Sequence, residues 1–165
     1  MIRLRDAMPD DVPAIARIWN PIIRDTVITF WPTERTDAEI AALIRDRQAM
    51  DHPVMVAEDA GQVLGFATYG QFRTGGGYAR SMEHTIHLAP DARGRGTGHL
   101  LLKALEDDAR AAGHRLLIGG ITASNAGSLR FHLRAGYAEW GRIPCAGWKF
   151  GAFHDLVLMG KDLAG

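Results

Sequence analysis

The sequence predicts an α/β domain in which helices flank one mixed β-sheet. Runs typical of strands occur about seven times, and four segments carry apolar residues at helical spacing. Their order along the chain is strand, two helices, three strands, helix, strand, helix and two strands. This order differs from the strict alternation of a Rossmann domain. We therefore expect a mostly antiparallel sheet of about seven strands, flanked by four helices.

The first third of the chain is predicted to hold one strand and two helices. Residues 2–5 alternate between apolar side chains and arginine, as in a short strand. Apolar residues between Val12 and Trp19 predict a helix that fades near Asn20-Pro21, because the residue before a proline avoids the helical conformation. The capping-box spacing from Thr36 to Glu39 begins the second helix. The segment from Thr26 to Trp31 is predicted to be a loop.

The middle of the chain is predicted to form three strands. Val54 to Ala57 and Val63 to Tyr69 are apolar, and the turn Asp59-Ala60-Gly61 joins them as a hairpin. A glycine-rich loop from Arg73 to Tyr78 follows. Met82 to Leu88 is the third strand, which ends before Pro90.

The last part of the chain is predicted to alternate between helix and strand before it ends in two strands. One helix runs from Thr97 to a glycine cap at Gly113, and another runs from Asn125 to Ala135. Leu116 to Ile121 is a buried strand between them, and the final strands lie near 137–143 and 153–158. The first of these helices is expected to bury Leu100, Leu101, Leu105 and Ala109.

Composition limits the classes of partner. The chain has 165 residues, 47% of them hydrophobic, which predicts a single domain over residues 1–165. Nineteen basic and 19 acidic residues cancel, so no overall field attracts nucleic acid or a membrane, and any polyanion must be bound locally. A single cysteine excludes an internal disulfide, and no targeting segment is evident, so we expect a cytoplasmic protein.

Glycines cluster in Arg93-Gly94-Arg95-Gly96-Thr97-Gly98, between a predicted strand and a predicted helix. Glycines at the start of a helix let an anion approach its free N–H groups, and the positive end of the helix dipole favours phosphate. The spacing fits neither the dinucleotide fingerprint nor the P-loop. A flexible turn with two solvated arginines is the alternative interpretation.

This segment resembles the acetyl-CoA loop of the Gcn5-related N-acetyltransferase superfamily. Arg93, Gly96 and Gly98 fill that superfamily's pattern of Arg or Gln, two residues, Gly, one residue, and Gly or Ala. The loop amides of that superfamily hold the pyrophosphate of coenzyme A, so the resemblance implies the acetyltransferase fold, acetyl-CoA as cosubstrate and no metal. The implied cofactor contacts are Arg93, Gly94, Arg95, Gly96, Thr97, Gly98 and His99.

A second motif of the superfamily lies in the predicted helix after 124. Asn125, Ser128, His132 and Gly136-Tyr137 match its asparagine, small residue, mid-helix tyrosine position and final Gly-Tyr. The resemblance implies that Asn125 and Ser128 contact the pantetheine arm. Asn125 is also a good N-cap for this helix, and both roles can hold at once.

A finer resemblance is to the phosphinothricin acetyltransferase group, which includes the methionine sulfone and methionine sulfoximine acetyltransferases. Three segments carry it, at residues 20–34, 69–85 and 149–155. It implies acetylation of the free amine of a small amino-acid analogue by direct transfer. Members of the family are often dimers, and the apolar residues Trp140, Trp148 and Phe150 are candidates for such an interface.

The reaction needs a base for the amine, a donor for the oxyanion and an acid for the thiolate. Glu83 matches the position of the group's proposed catalytic glutamate, and a surface or ion-paired glutamate is the alternative. His132 replaces the superfamily's acidic tyrosine, and an imidazole with a pKa near 6.5 can carry a proton at neutral pH. A structural helix histidine is the alternative. Ile86, His87 and Leu88 are expected to line the thioester cleft, with a backbone N–H near Leu88 as the oxyanion donor.

Five residues are candidates for contacts with the acceptor. A guanidinium suits a carboxylate or phosphinate, so Arg73 is the expected anchor. Trp31 and Tyr78 are expected to form walls and Thr85 a polar contact. Arg80 stands one residue after the arginine of the methionine sulfone enzymes, and the glycines at 75–77 replace bulkier side chains.

Other interpretations of these residues remain. His84 and His87 lie three apart on a strand and point to opposite faces, which argues against a metal pair. Nothing in the sequence near Cys145 activates a thiolate, so that residue is expected to be structural. The alternatives for function are acetylation of a protein N-terminus or lysine, and a non-catalytic acyl-CoA sensor on the same fold. The presence of both Glu83 and His132 argues against the sensor.

Overall fold

The computed structural model describes all 165 residues. The helices are α1 (Val12–Asp25), α2 (Asp37–Ala49), α3 (Thr97–Ala111) and α4 (Ala126–Arg134). The strands are β1 (Arg3–Asp6), β2 (Val54–Asp59), β3 (Gln62–Gln71), β4 (Ser81–Leu88), β5 (Leu116–Thr122), β6 (Ala138–Lys149) and β7 (Ala152–Asp162). The predicted order of elements is confirmed. None of the helices is long and apolar enough to cross a membrane.

All seven strands form one sheet in the order β1-β2-β3-β4-β5-β7-β6. Every neighbouring pair is antiparallel except β4 and β5, which are parallel. This confirms the predicted mixed and mostly antiparallel sheet. The single parallel pair lies in the middle of the sheet, where helices cover both faces.

The parallel pair is short, and the two strands then separate. β4 pairs with β5 only from Ser81↔Leu116 to His84↔Gly119. Beyond that point β4 remains paired with β3, and β5 remains paired with β7. The sheet therefore opens between the carboxyl ends of β4 and β5.

Two apolar cores hold the layers together, one on each face of the sheet. Helices α1 and α2 cover one face, and α3 and α4 cover the other. Complete burial of one such aliphatic or aromatic side chain is worth about 1.5–3 kcal/mol. Buried side chains include Ile15, Ile40 and Phe66 in the first core and Leu101, Leu105 and Leu117 in the second.

Two local expectations are wrong. Helix α1 does not fade at Pro21 but continues to Asp25, because Ile22 and Ile23 are buried and the N–H and hydroxyl of Thr26 both bond to the carbonyl of Ile22. In α3, Leu100 is exposed, and Leu102 takes the buried position. In both cases packing against the sheet decides the outcome rather than the local pattern.

The last two strands are longer than predicted. β6 and β7 form a hairpin through Phe150 and Gly151, and Lys149↔Ala152 is its last pair. β6 is the free edge of the sheet, so one of its sides has no partner strand. This long hairpin also reaches back to the first loop of the chain, as described below.

Candidate active site

A cavity of about 460 Å³ lies where β4 and β5 separate. Its volume suits a small ligand. Four segments form most of its lining: β4 from Glu83 to His87, β5 from Gly120 to Thr122, the loop from Ile28 to Pro32, and Asn125, Ser128 and His132 at α4. Trp19 of α1 and Leu156 of β7 complete it. We call this cavity the cleft.

Glu83 lies at the inner end of the cleft, where the parallel pairing is about to end. Its side chain is exposed on the cleft side, but the protein walls around it reduce its solvation, and this loss of solvation raises its pKa. The charge of Arg47 opposes that rise. The cross-strand partners of Glu83 are Gly70 on β3 and Ile118 on β5, and Gly120 lies beside the carboxylate, so there is room around it on the side of the cleft.

His132 lies in the wall of the cleft, with both ring nitrogens engaged. Its Nδ1 is 2.8 Å from the carbonyl of Ser128, and its Nε2 is 2.9 Å from Nε2 of His84. Burial lowers the pKa of His132 below its usual value. This differs from the expectation of an imidazole that readily carries a proton at neutral pH.

His84 and His87 occupy opposite faces of β4, as predicted. His84 stacks on His132, whereas His87 packs against Trp19 and Phe66. Burial lowers the pKa of His87 to about 4, so the ring that lines the cleft is neutral. Cys145 is exposed on β6 and does not line the cleft.

The loop from Thr26 to Pro32 forms one wall of the cleft and is bound to the last strands. Lys149 Nζ donates to the carbonyls of Ile23 and Thr29, and the hydroxyl of Thr122 donates to the carbonyl of Val27. The ring of Phe30 occupies the space beside Gly147, where a Cβ atom would lie within 2.5 Å of it. These contacts bind the N-terminal loop to the C-terminal half of the sheet. We call this loop the strap.

The backbone N–H of Leu88 points into the opening. Ala89 N–H donates to Leu64 O at 2.8 Å, and successive residues of an antiparallel strand point alternately toward and away from the partner strand. The N–H of Leu88 therefore points away from β3, toward the side from which β5 has separated. This position suits a donor to a developing oxyanion.

The glycine loop presents a row of free backbone donors. No backbone or side-chain acceptor bonds the N–H groups from Gly94 to His99. Gly94 and Gly96 have φ of 73° and 81°, the left-handed region that glycine adopts without strain. Helix α3 begins directly afterwards, and the Thr97 hydroxyl is buried without a partner. This cradle fits the pyrophosphate of coenzyme A.

The other expected cofactor contacts lie on the opposite wall. The side-chain oxygen of Asn125 accepts the N–H of Ser128 and so caps α4, while its Nδ2 has no partner in the protein; Asn125 also lines the cleft. The two arginines of the loop differ. Arg95 pairs with Asp59 at 3.1 Å, whereas Arg93 is exposed and makes no ion pair.

The structure brings only some of the expected acceptor contacts to the cleft. Trp31 and Thr85 line it. Arg73 lies 6.0 Å from the ring of Tyr78 on the exposed loop between β3 and β4, at the Glu83 end of the sheet but outside the cleft lining. Arg80 is placed elsewhere, because its guanidinium donates to the carbonyl of Gly113 beside the end of α3.

Two arginines near the cleft were not identified from the sequence. The Arg35 guanidinium lies 3.8 Å from the ring centre of Trp31 and 4.9 Å from that of Trp19, and the Asn20 side chain bonds both backbone groups of Arg35. Arg47 packs over Gly70 near Glu83. For Arg35, the only indication in the sequence was the Asn20-Pro21 segment, which belongs to the resemblance described above. No local pattern indicated a role for Arg47.

Comparisons with known proteins agree with this geometry. The family model described as Acetyltransferase (GNAT) family matches residues 16–137. The chain is 37% identical to an L-methionine sulfoximine/L-methionine sulfone acetyltransferase of Pseudomonas aeruginosa, over 97% of this chain and 94% of the relative. It is 32% identical to a phosphinothricin N-acetyltransferase of Alcaligenes faecalis, over 97% of this chain and 82% of the relative.

A solved structure shows the same fold with the cosubstrate bound. The phosphinothricin acetyltransferase of Sinorhizobium meliloti in complex with acetyl-CoA has a TM-score of 0.93 and 31% identity, covering 98% of this chain and 88% of its own. The fold, the free amides of the glycine loop and these similarities define an acyltransferase that uses acetyl-CoA. The chain belongs to the acetyltransferase (GNAT) family.

Proposed function

We propose that the enzyme acetylates the free amine of a small amino-acid analogue of the phosphinothricin, methionine sulfone or methionine sulfoximine type. The observation that carries this proposal is the placement of the Glu83 carboxylate inside a cleft of about 460 Å³ that the strap covers. A cleft of this size suits a small acceptor better than a folded protein surface. Relatives that act on these analogues, at 32–37% identity, support the same class.

Glu83 is the proposed base. An α-ammonium group has a pKa of about 8, so most of the acceptor is protonated near neutral pH and needs a base before it can attack. Glu83 takes that proton directly or through a water molecule. Its partial burial raises its pKa and so strengthens it as a proton acceptor.

The remaining residues orient the reactants. Acetyl-CoA supplies the acetyl thioester when it is bound. The amides from Gly94 to His99 hold its pyrophosphate, Asn125 and Ser128 contact its pantetheine arm, and the N–H of Leu88 is the proposed oxyanion donor. Ile86 and His87 form the wall beside the thioester.

His132 is the proposed acid for the leaving thiolate because it lines the cleft opposite Glu83. Burial lowers the pKa of His132, so the resting ring is mainly neutral and acts as the acid only after it takes up a second proton. A thiolate whose conjugate acid has a pKa near 8.5 still accepts that proton favourably. This role predicts a lower kcat for His132→Gln with little change in KM for acetyl-CoA.

The acceptor contacts are proposed at two depths. Trp31 and Thr85 are inner contacts, because both line the cleft. Arg73 and Tyr78 are outer contacts for the anionic end of the acceptor, because their loop joins the strand ends beside Glu83. Arg80 has no place in this proposal, since its guanidinium is bound to the end of α3.

A panel of acceptors tests the proposal. Phosphinothricin, methionine sulfone, methionine sulfoximine, ordinary amino acids and short peptides are each incubated with acetyl-CoA, and free thiol is measured. We expect turnover with the analogues and little with peptides. Glu83→Gln is expected to lower kcat by about 100-fold or more with the best acceptor. Turnover confined to peptides, or an unaffected Glu83→Gln variant, would contradict the assignment.

We also propose that the enzyme is a cytoplasmic homodimer. The β6–β7 hairpin exposes Trp140, Ile143, Trp148, Phe150 and Phe153 on the free edge of the sheet, each between 46% and 65% exposed. Exposed aromatic residues at this density mark a contact surface, and a second copy of the same edge is its proposed occupant. Light scattering is expected to report a dimer, and Trp148→Glu is expected to dissociate it. A wild-type monomer would refute this.

A further inference from the structure

Arg47 is an unpaired cation beside the proposed base. Its guanidinium makes no hydrogen bond or ion pair with the protein, and its Nε is buried without a partner. Burial lowers the pKa of Arg47, and the charge of Glu83 opposes that effect. Arg47 is partly buried, and a buried N–H without a hydrogen bond costs free energy, so its retention favours a compensating interaction.

Gly70 makes the room for this guanidinium. A Cβ atom at Gly70 would lie 1.6 Å from Nη1 of Arg47 and 2.3 Å from Cζ. Gly70 is the direct cross-strand partner of Glu83, so the guanidinium sits on the same face of the sheet, next to the position of the carboxylate. Any other residue at position 70 would displace Arg47 from this place.

Arg47 is the only charged side chain that shifts the pKa of Glu83. The cross-strand partners of Glu83 are Gly70 on β3 and Ile118 on β5, Gly120 lies beside its carboxylate, and the strap contains no charged residue. His132 lines the same cleft, but burial keeps it neutral. The charge of Arg47 also contributes to the lowered pKa of His52, although burial is the larger cause of that shift.

We propose that Arg47 is a positioning residue for Glu83: its guanidinium, seated over Gly70, places a positive charge beside the carboxylate and keeps it ionised in the cleft. The effect acts through charge at a distance, since the two groups form no ion pair within 4.0 Å. Glu83 thus remains able to accept a proton in spite of its partial desolvation. This inference rests on the proposed function only in naming Glu83 as the base.

The test measures Glu83 directly by ¹³C NMR titration of glutamate side chains, with Glu83→Gln for the assignment. Arg47→Gln is expected to raise the pKa of Glu83 by about one pH unit. Gly70→Ala, which leaves both charged residues in the chain, is expected to raise it by a smaller amount. Arg47→Lys is expected to keep most of the wild-type value. The control variants are Arg45→Gln, an exposed arginine of the same helix, and Gly141→Ala in β6, where a Cβ would meet only Leu158 Cδ1 at 4.0 Å.

The pH profile of kcat/KM gives the second reading. Its acidic limb is expected to move to higher pH in Arg47→Gln and Gly70→Ala by the amount seen in the titration, and to stay in place in the controls. A Glu83 pKa that is unchanged in both variants would overturn the proposal. If Arg47→Gln does not fold, Gly70→Ala and Arg47→Lys decide it. The titration needs no turnover, so a failed acceptor panel would refute the proposed function without affecting this result.

Discussion

The Nε2 atoms of His84 and His132 lie 2.9 Å apart inside the wall of the cleft. Nδ1 of His132 donates to the carbonyl of Ser128 at 2.8 Å, so the Nε2 of His132 is bare and the proton between the rings belongs to His84. Nδ1 of His84 is then a buried acceptor without a partner. The pair has fixed tautomers and is neutral.

This neutral pair makes folding stability depend on pH. Burial lowers the pKa of both rings, so the unfolded chain takes up protons before the folded one as the pH falls below about 6.5. The free energy of unfolding should therefore decrease as the pH is lowered through this range. His84→Gln keeps a donor at the Nε2 position but does not titrate. Between pH 7 and pH 5, the free energy of unfolding of this variant is expected to decrease by about 2 kcal/mol less than that of the wild type, as measured by urea denaturation.

The exposed His99→Gln variant is the control for that experiment. Its side chain is exposed in the folded protein, so its curve should follow that of the wild type. Superimposable curves for the wild type and His84→Gln would contradict the prediction.

Gly96→Ala tests the cradle for the pyrophosphate. The left-handed φ of 81° at this position costs a residue with a Cβ about 1–2 kcal/mol, so the loop is expected to shift. We expect KM for acetyl-CoA to rise about tenfold, with a smaller change in kcat. Calorimetric titration with coenzyme A should show the same loss of affinity.

Gly151→Ala is the control for Gly96→Ala, because Gly151 in the β6–β7 turn has a similar left-handed φ of 72°. It is expected to cost similar stability without changing KM for acetyl-CoA. An equal rise of KM for acetyl-CoA in both variants would contradict the prediction, because the effect would then come from folding alone.

Gly147→Ala tests the strap from the side of β6. The added methyl group would lie 2.5 Å from ring atoms of Phe30, which must move away from the hairpin. Because Phe30 lines the cleft, KM for the acceptor is expected to rise several-fold, while KM for acetyl-CoA stays near its wild-type value. Steady-state kinetics with each substrate varied in turn would show this split, and an unchanged acceptor KM would refute it.

Lys149→Met tests the other attachment of the strap. The change leaves the carbonyls of Ile23 and Thr29 without their donor, which is expected to cost about 1–3 kcal/mol of stability. Limited proteolysis should then cut within residues 26–32 sooner than in the wild type. Lys103→Met, at an exposed lysine of α3, is the control and should leave the cleavage rate unchanged.

The sequence indicated those features that depend on neighbouring residues. The order of elements, the capping box at Thr36 and the glycine loop each rest on residues close together in the chain, and the structure contains all three. The continuation of α1 past Pro21 did not follow from local preference, because burial of Ile22 and Ile23 outweighs it.

The site was predicted less completely than the fold, because its walls come from distant segments. Lys149 and Ile23 are 126 residues apart, and no spacing rule joins them. The place of Arg47 over Gly70 depends on how α2 lies across β3. The sequence identified Glu83 and His132 through resemblance, but the partners Arg47 and His84 required the structure.

The early separation of β4 from β5 has a mechanical consequence. The sheet consists of two leaves, β1–β4 and β5–β7, joined along the short seam from Ser81↔Leu116 to His84↔Gly119. The strap crosses from one leaf to the other at the far side of the cleft, through Lys149 and Thr122. The cleft is therefore a slot between two leaves whose width is constrained at both ends, by the seam and by the strap.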